Sequence, residues 1–424
     1  MVLTLVVSLV ILICLGMPIA FSMGLAAVIA LALDGGVPML VLPQKMYSSL
    51  DSFPLLAIPL FILAGALMNI SGITDKLVVL SRALVGHLRG GLGQVTVLTS
   101  VLFSTISGSA AASVAAVGGM MIPQMKQDGY RAEDAAIITA SAAILGPVIP
   151  PSVVMVIYGS MTGLSIGTLF LAGIGPGLLI AVVLMIGVYI LGSRAGIRKY
   201  ARAGLRDIAG ATLRAVPALI MPGIIVGGIV SGIFTATEAG VIAVAYAAIY
   251  AMFIKRAPLS VIASNVSSAA VVSSSILVIL GGAALFGWIV AREGLPVLIA
   301  AWLQSVTGDP VMALTLIVLV LLAVGIFIEP IPALIMLVPV LQPIADAYGF
   351  NPYHFAVIVT FGLLLGSLTP PVAVLVLISS KIANVPVNRT NRPLIPMFGV
   401  LVAVLFVLAY VPFVSLSFPM IFGA

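Results

Sequence analysis

Hydroxyl and backbone carbonyl oxygens in four apolar segments of this chain could bind a small cation. Membrane proteins hold sodium with such oxygens where a helix is interrupted at membrane depth, and the N-termini of the half-helices favour an anion. The sequence therefore predicts at least two related sodium sites. The candidate sodium ligands are Ser107, Gly108, Ser109, Gly146, Val148, Pro150, Gly325, Glu329, Gly366 and Thr369.

Two Pro-Pro pairs mark the expected helix interruptions. Proline lacks a backbone N–H and clashes with the preceding turn, so each pair should break its helix. The pairs, Pro150-Pro151 and Pro370-Pro371, are separated by 220 residues, and residues 123–160 match residues 343–380 at that offset without a gap. Paired interruptions in two halves of a membrane protein point to the binding site of a transporter.

Each of these features also has a plainer structural interpretation. Small residues such as those at 107–113 let membrane helices pack closely, and a lone proline within a span is more often a kink than a site. Glu329 lies at a predicted hairpin turn, where it could cap a half-helix or bind an ion or a proton. Glu238, just after Thr237, is expected to cap the helix that follows.

Composition limits the class of protein. Of the 424 residues, 62% are hydrophobic and 7% are charged, with a mean hydropathy of +1.34, which excludes a soluble domain. Apolar runs of about 20 residues predict membrane-spanning helices rather than the short alternating strands of an outer-membrane barrel. The chain has one cysteine, two histidines, no Walker A phosphate loop and no Ser/His/Asp set, so we expect it not to be an enzyme.

The apolar runs give an expected order of elements. Spans are predicted at 1–33, 53–70, 135–161, 169–191, 216–230, 239–254, 261–290, 355–376 and 396–418. Residues 34–47 are predicted to be a loop, and 71–93 and 292–310 amphipathic helices at the membrane interface. Residues 94–125 and 311–345 are predicted to be re-entrant hairpins, because small or polar residues interrupt them near the middle.

Basic residues predict the orientation, because cytoplasmic loops carry an excess of lysine and arginine. The strongest basic cluster is Arg194, Arg198, Lys199, Arg202, Arg206 and Arg214. The first hairpin lies between Arg89 and Lys126, on the basic side, and the second between Asp309 and Asp346, where bases are scarce. The two hairpins should then open to opposite sides, with the N-terminus cytoplasmic and the C-terminus periplasmic. The predicted fold is an all-α polytopic membrane protein with inverted-topology repeats, two re-entrant helical hairpins and two broken transmembrane helices.

Five motifs, in order, resemble those of the large membrane subunit of tripartite ATP-independent periplasmic (TRAP) transporters. They are Asp51–Phe61, Ser107-Gly108-Ser109, Gly146-Pro147-Val148-Ile149-Pro150-Pro151-Ser152, Phe234-Thr235-Ala236-Thr237-Glu238-Ala239 and Gly366-Ser367-Leu368-Thr369-Pro370-Pro371. The resemblance extends over nearly the whole chain. It implies an elevator-type carrier in the bacterial inner membrane that takes up an organic acid with sodium and needs no other cofactor. The acid would be a C4-dicarboxylate, a sialic acid or a related sugar acid.

The same resemblance implies partners and a division of the chain. The partners would be a small four-helix membrane subunit and a periplasmic substrate-binding protein that delivers the acid, within a lipid bilayer and without nucleic acid. The expected units are the first scaffold arms (1–93), the first transport repeat (94–192), a basic linker with the second arms (193–310) and the second transport repeat (311–424). Candidate residues for the acid are Ser113, Pro151, Ser152 and Pro371.

Other functions stay open at this point. A stand-alone divalent-anion/sodium symporter of similar architecture would need no binding protein. A channel or a non-transporting scaffold subunit belongs to a different class, and a membrane enzyme is disfavoured by the missing catalytic sets.

Overall fold

The computed structural model describes residues 1–194, Ile197 and 200–423, and within these residues the chain is all-helical. Nine helices of the described part are long and apolar enough to cross a membrane. The predicted class, an all-α polytopic membrane protein, is therefore confirmed. Two members of the predicted basic cluster, Arg198 and Lys199, lie outside the described residues.

The N-terminal region differs from the prediction in two places. Its helices are α1 (Val2–Cys14), α2 (Ile19–Asp34), α3 (Val41–Leu50), α4 (Ala57–Ile70) and α5 (Ile73–Val85). The single span expected at 1–33 is wrong, because Gly16 takes φ +82° and Pro18 begins a new helix that packs back on α1. The loop expected at 34–47 is also wrong in its second half, where α3 forms. A 3₁₀ turn at Phe53–Leu56 leads into α4, so the span predicted at 53–70 is confirmed.

The first hairpin and the first broken helix follow as predicted. Their helices are α6 (Gly91–Ser107), α7 (Ala110–Gln127), α8 (Ala132–Ala143), α9 (Leu145–Val148), α10 (Val153–Thr162) and α11 (Ile166–Arg194). The hairpin turns at Gly108. Apart from a turn at Ile144, helical structure continues to Val148, and the break is the irregular stretch at residues 149–152.

The middle of the chain contains α12 (Leu205–Val230), α13 (Ala236–Ile249), a π-helical turn at Tyr250–Ile254, and α14 (Leu259–Arg292). Glu238 has the capping role predicted for it. Its Oε2 accepts from the Thr235 backbone N at 2.8 Å, and its own backbone N donates to Thr235 Oγ1 at 3.3 Å. This reciprocal capping box satisfies two of the free donors at the start of α13.

The last part of the chain repeats the hairpin and the broken helix. Its helices are α15 (Leu295–Val306), α16 (Pro310–Phe327), α17 (Pro330–Ala347), α18 (Pro352–Gly366), α19 (Val374–Ala383), α20 (Val387–Tyr410) and α21 (Phe413–Phe422). The span predicted at 396–418 is wrong at both ends, because α20 begins nine residues earlier and the chain breaks at Val411-Pro412. His354 fixes α21 against α18, since its Nδ1 lies 2.6 Å from Ser415 Oγ.

The ends of the helices show that the 220-residue repeat extends beyond the part of the sequence that matches. Helices α7 and α17 are separated by 220 residues at both ends, as are the starts of α8 and α18 and the hairpin turns at Gly108 and Ile328. Helix α19 packs on both α7 and α8, so the second broken helix lies against the first hairpin and the first broken helix. The two repeats therefore share one core.

Candidate substrate and ion site

The first helix break is a buried, well-capped segment. Residues 149–152 are non-helical and shielded, and the Pro150-Pro151 peptide bond is cis. Ser152 N-caps α10, because its Oγ accepts from the Met155 backbone N at 3.2 Å, and the same hydroxyl donates to the Pro147 carbonyl. The helix that Pro150 and Pro151 interrupt thus starts again at once, with its N-terminus beside the break.

Three serines organise the first hairpin turn. Gly108 ends α6 with φ +60°, a conformation that favours glycine. Ser109 N-caps α7 by accepting from the Ala112 backbone N at 3.4 Å. The Ser113 hydroxyl donates to the Ser109 carbonyl at 2.9 Å and lies 3.4 Å from the Ser107 hydroxyl. The turn thus gathers hydroxyl and carbonyl oxygens within a few ångströms of one another.

Glycines bring this turn into backbone contact with the first break. A Cβ added to Gly108 would lie 2.5 Å from the Pro151 carbonyl oxygen, and one added to Gly146 would lie 2.8 Å from the Ser109 carbonyl carbon. Any larger residue at either position would push the turn and the break apart. The structure therefore places the Ser109 and Pro151 carbonyls and the Ser107 hydroxyl in one small region.

The second turn meets the second break in the same way. A Cβ on Gly366 would overlap the carbonyl of Gly325, and one on Gly325 would lie 3.0 Å from the Leu363 carbonyl oxygen. The Thr369 backbone N donates to the Gly366 carbonyl at 2.9 Å, and its hydroxyl donates to the Leu365 carbonyl at 3.1 Å. Glu329, at the turn itself, is exposed and precedes α17.

A cavity of about 560 Å³ lies between the two hairpin turns, and the first turns of four helices line it. These helices are α7, α10, α17 and α19, which contribute Ala110, Val153, Pro330 and Val374. Helix N-termini carry unpaired N–H groups and a partial positive charge, so they favour an anion. Among the described residues that line the cavity, Glu329 is the one charged side chain. The volume lies within the range of small-molecule sites.

The predicted site residues divide into those that line the cavity and those that lie behind it. Residues on the wall are Ser107, Gly108, Ser109 and Glu329. The remainder are not part of the wall, and these are Ser113, Gly146, Val148, Pro150, Pro151, Ser152, Gly325, Gly366, Thr369 and Pro371. Ser113 and Ser152, predicted to contact the acid, are instead buried and engaged in the networks of the first turn and first break.

One predicted carbonyl lies away from the first turn. The Val148 carbonyl faces Gly173 of α11, where an added Cβ would overlap it.

Several polar residues on the cavity wall were not predicted as site residues from the sequence, namely Ser367, Asn69, Asn265 and Ser268. Asn69 carried a usable signal, because a carboxamide within the apolar run 53–70 is unusual.

Comparison with known proteins gives one consistent family. A family model for the DctM component of tripartite ATP-independent periplasmic transporters matches residues 6–414. The sialic acid TRAP transporter large permease protein of Vibrio cholerae is 37% identical over 412 residues, which cover 96% of each chain. The C4-dicarboxylate TRAP transporter large permease protein of Pseudomonas aeruginosa is 36% identical over 399 residues, covering 94% of this chain and 93% of its own.

Two further comparisons concern length and fold. The isethionate TRAP transporter permease protein of Oleidesulfovibrio alaskensis is 36% identical, and the match covers 95% of this chain but 64% of that longer protein. The crystal structure of the Alcanivorax borkumensis YdaH transporter is similar with a TM-score of 0.62, over 87% of this chain and 86% of its own. Because the identity to YdaH is 15%, this likeness concerns the fold alone.

Proposed function

Because the chain belongs to the family of DctM components of tripartite ATP-independent periplasmic transporters, we propose that it carries an organic acid inward, coupled to sodium. It is a transporter permease and not an enzyme. The observation that carries the proposal is the cavity in which four helix N-termini meet and Glu329 is the one charged side chain among the described lining residues.

The charge of the cavity wall favours coupling to cations. An organic acid bound there has helix N-termini as partners, and each such interaction contributes about 0.3–1 kcal/mol at an exposed surface and up to about 2 kcal/mol when partly buried. Lysine and arginine do not occur among the described lining residues, and Glu329 would repel the acid. Bound cations near the hairpin turns would supply the missing positive charge, so acid binding should depend on sodium.

Oxygens suited to sodium lie at both turns. At the first turn, the Ser107 hydroxyl and the Ser109 and Pro151 carbonyls would hold one ion, since Gly108 and Gly146 let these groups approach closely. At the second, Thr369 with the Gly325 and Gly366 carbonyls would hold another. When bound, each ion supplies positive charge beside the cavity. Ser113 and Ser152 would position these oxygens rather than touch the acid.

Packing suggests which parts would move together. The hairpins and broken helices of both repeats share a core, since α19 packs on α7 and α8. The arm helices pack largely on one another, α4 with α13 and α14, and α2 with α14, while α5 and α14 also contact hairpin helices α6 and α17. We propose that 94–192 and 311–424 move as one elevator body against the arms at 1–93 and 193–310. Inner-membrane insertion with a cytoplasmic N-terminus follows from the basic loops.

The family supplies a reason to expect partners. A DctM component is one part of a tripartite transporter, so we propose that a small four-helix membrane subunit and a periplasmic binding protein act with this chain. The longer relative named DctMQ extends beyond the part that this chain matches, as a fusion with a second membrane subunit would.

Uptake into proteoliposomes tests the function. This chain would be reconstituted with its small subunit, with and without the binding protein, under an inward sodium gradient and with radiolabelled dicarboxylates, sialic acid and uronic acids. Uptake that needs both sodium and the binding protein is the expected result. Sodium-driven uptake without the binding protein would favour a stand-alone symporter, and flux without sodium dependence would contradict the coupling.

Two hydroxyl deletions test the sodium sites. Ser107→Ala and Thr369→Ala should each raise the half-saturating sodium concentration by about tenfold, the effect of losing one ligand worth about 1.4 kcal/mol. Ser274→Ala, at an exposed position on α14, is the control. Unchanged sodium dependence in both hydroxyl variants would show that these oxygens are not ligands.

A further inference from the structure

The cavity has a second polar wall, which the transport proposal leaves without a role. Besides the hairpin turns, three polar side chains of the arm helices line the cavity: Asn69 on α4, and Asn265 and Ser268 on α14. Their neighbours on the same wall are apolar, including Ile62 and Val272. All three side chains face the cavity among apolar neighbours, so their free donors and acceptors are available to a bound molecule.

The side chains on α14 form one face of the helix. Asn265, Ser268, Val272 and Ile276 follow spacings of three and four residues, and all of them line the cavity. The neighbouring serines at 264 and 267 do not line it. The polar groups are therefore directed at the cavity by helical register, and a serine-rich sequence alone would not select them.

The two carboxamides present complementary groups. The Asn265 Nδ2 donates to the Val261 carbonyl at 2.8 Å, which leaves its Oδ1 to accept a further hydrogen bond. The Asn69 Oδ1 accepts from the Thr74 hydroxyl at 3.2 Å, which leaves its Nδ2 to donate. With the Ser268 hydroxyl, the wall offers a donor, an acceptor and a group that can be either. All three are uncharged, so they suit an alcohol better than a second carboxylate.

The same wall lies toward the basic end of the arms. Asn69 lies in the last turn of α4, just before the α4–α5 connection, and Lys255 and Arg256 lie in the connection that leads to α14. The two connections touch, because a Cβ added to Gly72 would lie 2.9 Å from Lys255 Nζ. By the excess of basic residues this is the cytoplasmic end. A substrate would therefore contact these side chains at the end of the cavity that lies toward the cytoplasm.

We propose that Asn69, Asn265 and Ser268 form a subsite for the hydroxyl groups of a hydroxylated organic acid, on the inward side of its path. This inference rests on the proposed transport function. The carboxylate lies against the helix N-termini of the turns, while the hydroxylated part contacts the polar side chains of the arm helices. Because the arms do not belong to the proposed moving body, these contacts form when the cavity faces the arm wall, and they select at the inward step.

Binding of paired acids tests the subsite. The chain with its small subunit would be placed in nanodiscs with sodium, and the dissociation constants of tartrate and succinate, and of gluconate and hexanoate, would be measured by calorimetry. Within each pair the carbon chain and the carboxylates are the same, and the hydroxyl groups differ. The double variant Asn69→Leu/Asn265→Leu keeps side-chain volume and removes both carboxamides, and Ser264→Ala/Ser267→Ala on the other faces of α14 is the control.

The double variant should weaken binding of the hydroxylated acid by about tenfold, the effect of two neutral hydrogen bonds, and leave the unhydroxylated acid within about twofold. Equal weakening of both acids, or of neither, would overturn the subsite while leaving transport intact. If the unmodified complex binds none of these acids or sialic acid in sodium, the transport proposal fails and the subsite with it. Ser268→Ala, a smaller change, should give a smaller loss of the same selectivity and guards against misfolding of the double variant.

Discussion

The two helix breaks occupy equivalent positions and are surrounded very differently. At the first break, Pro150, Pro151 and Ser152 are all buried. At the second, Pro370 and Pro371 are exposed and Thr369 is half-buried. Both Pro-Pro peptide bonds are cis, and both breaks meet a hairpin turn through glycine contacts, so the backbone plan is shared. The two breaks differ in the helix that packs on the side away from the hairpin turn.

Helix α11 explains the enclosure of the first break. A Cβ on Gly173 would overlap the Val148 carbonyl, and one on Gly177 would overlap the Ile149 side chain, so α11 presses directly on the break. In the second repeat, 220 residues later, Pro393 and Met397 of α20 stand at these positions. Both residues are bulkier than glycine, and the second break has an exposed side.

Side-chain chemistry has diverged on this shared backbone. Ser109 of the first turn corresponds to Glu329 of the second, and Ile149 to Thr369. The first turn draws its hydroxyl oxygens from the hairpin, and the second draws one from the break. The repeated backbone thus provides carbonyl groups and helix N-termini in both halves, whereas the side chains that provide oxygens differ between the halves.

The closest turn-to-break contact should give the largest mutational effect. Gly366→Ala would place a Cβ on the Gly325 carbonyl, where no flexible side chain can yield, and overpacking of this kind costs about 1–3 kcal/mol or more. We expect sodium-driven uptake to fall below about one tenth and the thermal unfolding midpoint to drop. Gly146→Ala, with a contact of 2.8 Å, should have the smaller effect of the two.

Gly399→Ala is the matched control for these variants. A Cβ at Gly399 would meet no atom within 4 Å, although the residue lies in a helix of the same repeat. If Gly366→Ala behaved like Gly399→Ala in uptake and in unfolding, the close approach of turn and break would have no function.

Thiol labelling tests the difference in enclosure directly. In a Cys14→Ser background, Val372→Cys at the open break should react with a maleimide about tenfold or more faster than Ser152→Cys at the closed one, because reactivity follows access. These positions are equivalent in the repeat. Labelling after denaturation gives the total thiol in each sample. Equal rates in the folded protein would contradict the comparison.

Pattern and proline chemistry predicted the hairpins and broken helices correctly. Local rules fix these features, because a Pro-Pro pair breaks a helix wherever it lies and small hydroxyl residues mark a turn. The division of the N-terminal region into two helices, α1 and α2, was not predicted. The run from Met1 to Leu33 is apolar throughout, and Gly16 with Pro18 was a weak local signal of a helix end. The chain's membership of the TRAP large-subunit family, suggested by five motifs, is confirmed over residues 6–414.

The features that could not be predicted from the sequence depend on tertiary packing. The enclosure of the first break depends on Gly173 and Gly177, which lie on a different helix and carried no motif. The role of Ser152 as an N-cap and the position of Asn265 on the cavity wall likewise depend on where helices start and how they rotate. Four residues predicted from the sequence, Ser107, Gly108, Ser109 and Glu329, line the cavity, whereas the polar residues of the arm helices on its wall were not predicted.

Replacement of Ser109 and Glu329 tests whether equivalent turn residues do different work. Ser109→Ala removes an N-cap bond, worth about 1 kcal/mol, and should lower the unfolding midpoint by a few degrees. Glu329 makes no side-chain cap bond, so Glu329→Gln should leave the midpoint unchanged. It should instead raise the half-saturating sodium concentration about fivefold, the effect of about 1 kcal/mol of lost attraction. Destabilisation by Glu329→Gln would mean that both residues are caps.

The smallest effects should come from two contacts that each join a hairpin to the other repeat's broken helix. Lys126 on α7 donates to the Ala383 carbonyl at the end of α19, at 2.9 Å. On α17, Asp346 stands at the equivalent position and accepts from Gln342, whose Oε1 accepts from Tyr158 of α10 at 2.9 Å. Each hairpin is thus joined to the far half of the other repeat's broken helix, by a cation in one case and by neutral side chains in the other.

Salt should distinguish these two contacts. Tyr158→Phe removes a neutral hydrogen bond and should cost about 1 kcal/mol of unfolding free energy at any ionic strength. Lys126→Met removes an exposed cation from a helix C-terminus, worth about 0.3–1 kcal/mol, and this loss should shrink in high salt because the charge is screened. Unfolding midpoints at low and high salt would measure both. Lys381→Met removes an exposed cation from the last turn of α19 without breaking a contact between the repeats, so it measures the effect of such a charge alone. A salt-independent loss for Lys126→Met would mean that its hydrogen bond, and not its charge, joins the repeats.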